Sequence, residues 1–189
     1  MVKKLSHSFN LRLSPAITDR LKDRQNKLSE KFDERRLYDT SPHLSIANKF
    51  MDAATTPQFI KALDKEFEAD SVWKLEFADF RPAPTNDYIF LHLSNVSREK
   101  LFALHERAFL VTKGIGLEIP SGNKFRYFPY DPHVSLIRLD PQNMPGALQF
   151  LRQDLKGERM AVTQYVITRQ TDDENGFSNF PEIHKINLN

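Results

Sequence analysis

The sequence contains no cysteine, which removes disulfide staples, thiolate catalysis and cysteine-bound zinc in one step. Long apolar runs are missing as well: none approaches the length of a bilayer span, and the N-terminal stretch MVKKLSHSFNLRLS has no apolar signal core. A soluble, unexported, cytoplasmic protein with no membrane partner is expected. Low-complexity segments are few, so disorder is expected only at ends and loops. A charge of one sign is lacking too. Lys and Arg number 27 against 25 Asp and Glu, a net charge of +2, which is not the footprint of a bulk nucleic-acid coat protein. Local clusters (Lys3–Lys4, Arg35–Arg36, Lys124 and Arg126) read first as solvated charges, with single phosphate contacts as the alternative. No carboxylate-rich cluster suggests a metal, and no cofactor is implied.

What is present suffices for a sizeable core: 40% hydrophobic residues in 189, with 15 phenylalanines. This length suits one domain over residues 1–189, built as two lobes, and a monomer. HSFNLRL alternates Phe9, Leu11 and Leu13 against polar residues, predicting a strand with one buried face. Ser14-Pro15 opens a helix to about residue 34. An extended stretch, RLYDTSPHLSIAN, follows, and then an amphipathic helix with Phe59, Ile60, Leu63 and Phe67 on one face. WKLEFADFRPAP and DYIFLHLSNV read as two strands. A helix follows over 97–114 with Ser97 as its cap, then the extended NKFRYFPYDPHVSLIRLD and a short helix in MPGALQFLRQDLKGE. RMAVTQYVITRQT and FPEIHKINLN read as strands, and the acidic QTDDENGFSNF between them as a loop able to cover a cleft. Strand, helix, extended segment, helix and strands thus occur twice in order. The expected fold is α+β, an approximate duplication with two antiparallel sheets facing a central cleft and helices outside.

Two extended segments share a spelling: Pro42-His43-Leu44-Ser45-Ile46 and Pro132-His133-Val134-Ser135-Leu136. Two chance matches of five letters have a probability on the order of one in a million. A third, shorter copy, His92-Leu93-Ser94, lacks the proline and the final aliphatic residue. On a strand, residues i and i+2 share a face, so each histidine and serine point together while the aliphatic residues enter a core. Two imidazoles across a cleft suit phosphodiester displacement, one as general base and the other as general acid. Each serine can donate to a non-bridging phosphate oxygen. No metal is needed for this chemistry.

The paired motifs resemble those of the 2H phosphoesterase superfamily, whose members include 2′-5′ RNA ligases, cyclic nucleotide phosphodiesterases and enzymes that cut 2′,5′-oligoadenylate. That resemblance implies catalytic roles for His43 and His133 and phosphate-binding roles for Ser45 and Ser135. It implies a nucleotide, oligonucleotide or RNA-end substrate joined through a 2′,5′-linked, 2′,3′-cyclic or RNA-terminal phosphodiester. A non-catalytic nucleotide-binding module, or an RNA ligase running the reverse reaction, is the alternative. Tyr127, Tyr130, Arg169 and His92 are candidate substrate contacts, each weighed against a structural role: core or loop tyrosine, surface ion pair, satisfied strand histidine. His7 and His105 are expected at the surface, and His184 partly buried.

Overall fold

Two helices begin in the same way. In both, a serine with extended backbone turns its hydroxyl onto the backbone N–H three residues ahead: Ser14 Oγ accepts from Ile17 N, and Ser94 Oγ from Ser97 N, each at 3.4 Å. The computed structural model describes residues 5–33, 42–84, 87–116, 130–152, 154–172 and 178–189. In chain order the elements are β1 Leu5–Leu11, α1 Pro15–Phe32, β2 Leu44–Met51, α2 Thr56–Phe67, β3 Trp73–Pro82, β4 Tyr88–Leu93, α3 Asn95–Gly114 and β5 His133–Arg138. There follow α4 Met144–Leu151, β6 Arg159–Val162, β7 Gln164–Arg169, β8 Thr171–Asp172, β9 Ser178–Asn179 and β10 Glu182–Asn187. The expected cap for α3 therefore lies one helical turn too late. Ser97 is inside the helix, and its hydroxyl accepts instead from Glu76 N at 2.8 Å, tying the first turn to β3.

The architecture is α+β. Eight strands form one curled antiparallel sheet in the order β10-β7-β1-β2-β5-β4-β3-β6, and β8 and β9 make a separate two-stranded ladder. Where two sheets were expected, the strand order is continuous. Its narrowest link is at the centre, where β2 and β5 share the single pair Leu44–Val134. The stretch read as one strand, RMAVTQYVITRQT, is two. β6 lies at one edge against β3, and β7 lies between β10 and β1, with the break at Thr163. Local alternation is the same for one long strand as for two short ones, so only pairing partners tell them apart.

Helices cover one face of the sheet. Phe9 of β1 packs on Phe67 of α2 and on Tyr165 of β7, at ring distances of 4.9 and 5.4 Å. α1 lies against β5, α4 against β3, and α3 against β2 and β3. Leu11, Leu44, Ile46, Leu91, Val134 and Leu136 all enter this core. β1 is buried on both faces rather than one, since Ser8 and Asn10 are buried too. Asn10 Nδ2 donates to Thr168 Oγ1 at 3.1 Å on the face away from α2. Among the described residues, no helix is long and apolar enough to cross a membrane.

Candidate active site

The two motifs meet at the centre of the sheet. β2 and β5 run antiparallel with Leu44 opposite Val134; extending that register by one residue each way sets Ser45 across from His133, and His43, the residue just before β2, across from Ser135. Alternation turns all four away from the core, which receives Leu44 and Val134. The result is a two-by-two grid in which each histidine faces the other motif's serine and the two imidazoles lie on a diagonal. Opposed residues in such a ladder have Cβ atoms about 5 Å apart, and the diagonal is roughly 7–8 Å. Electrostatics agrees with this proximity, because His43 is among the charges acting on His133.

Each motif strand also carries a bulge at the same place. Along β1 and β2, Phe9 pairs with Ala47 and Asn10 with Ser45, so Ile46 is passed over. Along β4 and β5, Ile89 pairs with Ile137 and Phe90 with Ser135, so Leu136 is passed over. The ladder therefore skips the residue after each motif serine. Each bulge gives two adjacent buried residues, Ile46–Ala47 and Leu136–Ile137, in strands that otherwise alternate.

The two histidines differ in surroundings. His43 is exposed, whereas His133 is half-buried beneath Phe90, whose ring stacks on it at 3.7 Å and 14°. Burial holds the His133 pKa below its ordinary value of 6.5; hydrogen bonding to Asp131 and its charge work the other way, and His43 lowers it further. His133 Nδ1 lies 2.6 Å from the Asp131 carbonyl oxygen. A carbonyl can only accept, so Nδ1 carries the hydrogen. In the neutral ring this leaves the lone pair on Nε2. The Asp131 carboxylate is held by Arg98 at 2.8 Å.

The other sequence candidates go to different places. His92 is cross-strand neighbour to His133 and shares its face. It is buried, its Nδ1 has no hydrogen-bond partner, and its pKa is lowered, by burial first. It is therefore not the satisfied strand histidine weighed above. Tyr130 is half-buried and stacks on His105 at 4.1 Å and 7°; its hydroxyl donates to the Ser45 carbonyl at 3.0 Å. Burial, followed by the Asp131 charge, raises its pKa. Arg169 is on the other face. It pairs with His7, and His7 packs on Phe59 and bonds Thr56 of α2, so the arginine is not brought to the motifs. Tyr127 lies outside the described residues.

Two histidines expected at the surface are not there. His7 is fully buried; its Nδ1 lies 3.1 Å from the Leu5 carbonyl and its Nε2 2.9 Å from Thr56 Oγ1. His105 reaches across to the Ile46 carbonyl at 2.6 Å. A charged helix context suggested solvent, but the side of a helix that meets a sheet is fixed by packing across the chain. His184 is half-buried, with Nε2 2.7 Å from Asp64 Oδ1. Phe90 and Asp131, which surround His133, are not among the residues that the motif letters single out. The spacing of Phe90 two residues before His92 was the available signal.

No family model matches the sequence, and no match is found among curated proteins. Solved structures do match. Escherichia coli LigT in its apo form superposes with a TM-score of 0.70 at 15% identity, covering 98% of each chain. This chain has the LigT fold. TT0787 of Thermus thermophilus gives a TM-score of 0.69 at 15% identity over 97% of each chain. A crystal structure described as a phosphoesterase gives 0.66 at 12% identity over 97% of this chain and 98% of its own. LigT has also been crystallised with phosphate and with 3′-AMP. The likeness runs through nearly the whole chain, so it covers both motif strands and the sheet between them.

Proposed function

We propose that the chain is a 2H phosphoesterase, a phosphodiesterase that works through His43 and His133 without a metal. The reading takes residues 1–189 as one domain built from two duplicated lobes that meet at the β2–β5 link. Its substrate class is a 2′,5′-linked, 2′,3′-cyclic or RNA-terminal phosphodiester of a nucleotide or oligonucleotide. The observation that carries this is the antiparallel Leu44–Val134 pair, which brings the two Pro-His-aliphatic-Ser segments side by side. The LigT complexes with phosphate and 3′-AMP support a nucleotide phosphate as the ligand.

His133 acts as the base. Its lowered pKa keeps it neutral at physiological pH, and its Nε2 lone pair takes the proton from the attacking water or ribose hydroxyl. His43, in its protonated form, gives a proton to the leaving oxygen as the P–O bond breaks. Ser45 and Ser135 donate to the non-bridging oxygens, where charge is held as the phosphorus becomes five-coordinate. A cytoplasmic monomer acting on RNA ends or small cyclic nucleotides is the setting inferred.

The deciding experiment is a mass-spectrometric product assay in EDTA on 2′,5′-oligoadenylate, 2′,3′-cyclic nucleotides and short RNA. Product from the wild type and none from His43→Ala or His133→Ala is the expected result. Tight binding without product over hours would establish a binding module in place of an enzyme. Full activity in either histidine variant would remove the mechanism.

A further inference from the structure

The carbonyl of each bulge residue is caught by a side chain from a distant helix, and the two catches correspond. Gln25 Nε2 donates to the Leu136 carbonyl at 2.5 Å, behind the second motif. His105 Nδ1 lies 2.6 Å from the Ile46 carbonyl, behind the first; since a carbonyl only accepts, this nitrogen is the donor. Each residue is ten positions on from the first residue of its helix, Pro15 in α1 and Asn95 in α3. Ile46 and Leu136 are each three residues after their motif histidine. The connections cross over: α1, which leads into the first motif strand, holds the second, and α3, which leads into the second, holds the first. Tyr130 reinforces one side, stacking on His105 and donating to the Ser45 carbonyl.

We propose that Gln25 and His105 are positioning residues, paired latches that fix the two bulges and so aim the motif serines and histidines at the shared phosphate. This rests on the phosphodiesterase reading above. A bulge leaves the skipped residue outside the ladder, and a buried carbonyl without a partner is costly. An untethered bulge can also migrate along the strand, and a slip of one residue turns every side chain to the other face. Each latch supplies the missing partner and pins the bulge immediately after the serine. Gln25 is buried although glutamine seldom is, and His105 sits in a helix otherwise rich in exposed charges. Both oddities follow from the latch.

The test uses His105→Leu, His105→Gln and Gln25→Leu in the full chain. Thermal melts show that each variant folds, and hydrogen exchange by mass spectrometry reads the two motif strands separately. His105→Leu should speed exchange over 44–48 and leave 133–138 unchanged, and Gln25→Leu should do the reverse. kcat should fall about ten- to a hundredfold in both leucine variants with KM nearly constant, the size expected when a reacting group is misplaced by about 1 Å. His105→Gln copies the latch of the other motif and should restore kcat to within about threefold of wild type. Unchanged exchange or unchanged kcat in His105→Leu overturns the proposal, as does His105→Gln being as slow as His105→Leu. If instead the exchange pattern appears but His43→Ala and His133→Ala retain full turnover, the latch stands and the catalytic reading falls.

Discussion

The two motif strands spell nearly the same five residues, yet the neighbour beside each motif serine differs. Next to Ser45 on the site face is Asn10, buried and bonded to Thr168; next to Ser135 is Phe90, stacked on His133. The aromatic neighbour covers its motif histidine, whereas His43 is exposed. Burial beneath that ring holds the His133 pKa below its ordinary value without any change in the motif itself. In the proposed mechanism, this difference suits His133 to the role of the base.

The most direct way to break the comparison is to remove the two motif histidines, the proton carriers of the proposed mechanism. His43→Ala and His133→Ala should each lower kcat by about a thousandfold or more, the usual range for a general acid or base, measured by steady-state turnover in EDTA. Because the two act as a unit, the double variant should lose little beyond either single one. If one loss were trivial, the division of labour would be wrong.

Ser45→Ala and Ser135→Ala come next, each expected to cost about ten- to a hundredfold in kcat through loss of one phosphate hydrogen bond. Similar losses would mean that the grid is symmetric at the phosphate and asymmetric only at the protons. Single-turnover rates across the two variants provide the measurement.

Phe90→Ala sharpens the contrast. Water admitted beside His133 reduces the penalty on its charged form, so its pKa should rise and the acid limb of kcat/KM should move to higher pH. In the wild type that limb should lie below 6.5, the ordinary histidine value. Asn10→Ala, at the corresponding place by the other motif, should leave the acid limb where it is. Stability follows the same sign. A histidine whose folded pKa is depressed binds fewer protons folded than unfolded, so its contribution is intact above about pH 6.5 and erodes as pH falls below it. His7 and His92 act in the same direction. Denaturant midpoints from pH 8 to pH 5 should decline, and Phe90→Ala should flatten the decline.

The smallest effect belongs to Asn10 itself. Its Nδ2–Thr168 hydrogen bond is buried, and Asn10→Ala should cost about 1–2 kcal/mol in urea unfolding. A neutral result would mean that water satisfies Thr168 equally well.

Much of this fold was legible in the sequence because its cues are local. Ser14-Pro15 marked the start of α1, and the Phe59–Leu63–Phe67 spacing marked α2. Pro-His-aliphatic-Ser-aliphatic located both motif strands. The failures share a cause. The cap of α3 went to Ser97 instead of Ser94, because both serines fit a helix start and only the contact with β3 separates them. Charged or terminal surroundings suggest a surface for His105 and His7, which packing overrides, and Arg169, weighed between a phosphate contact and a surface ion pair, lies on the face away from the motifs. Each error concerns which face of an element meets which distant partner.

The sequence by itself determined that two histidine–serine pairs would sit on strands with each pair on one face, because side-chain alternation is a property of a few consecutive residues. Tertiary structure decided that the pairs would oppose one another, that a bulge would follow each serine, and that Phe90, Gln25 and His105 would be the neighbours. Those outcomes depend on strand order and register between segments up to 111 residues apart. Long-range register is set by the packing of the whole core, and no short stretch of letters carries it.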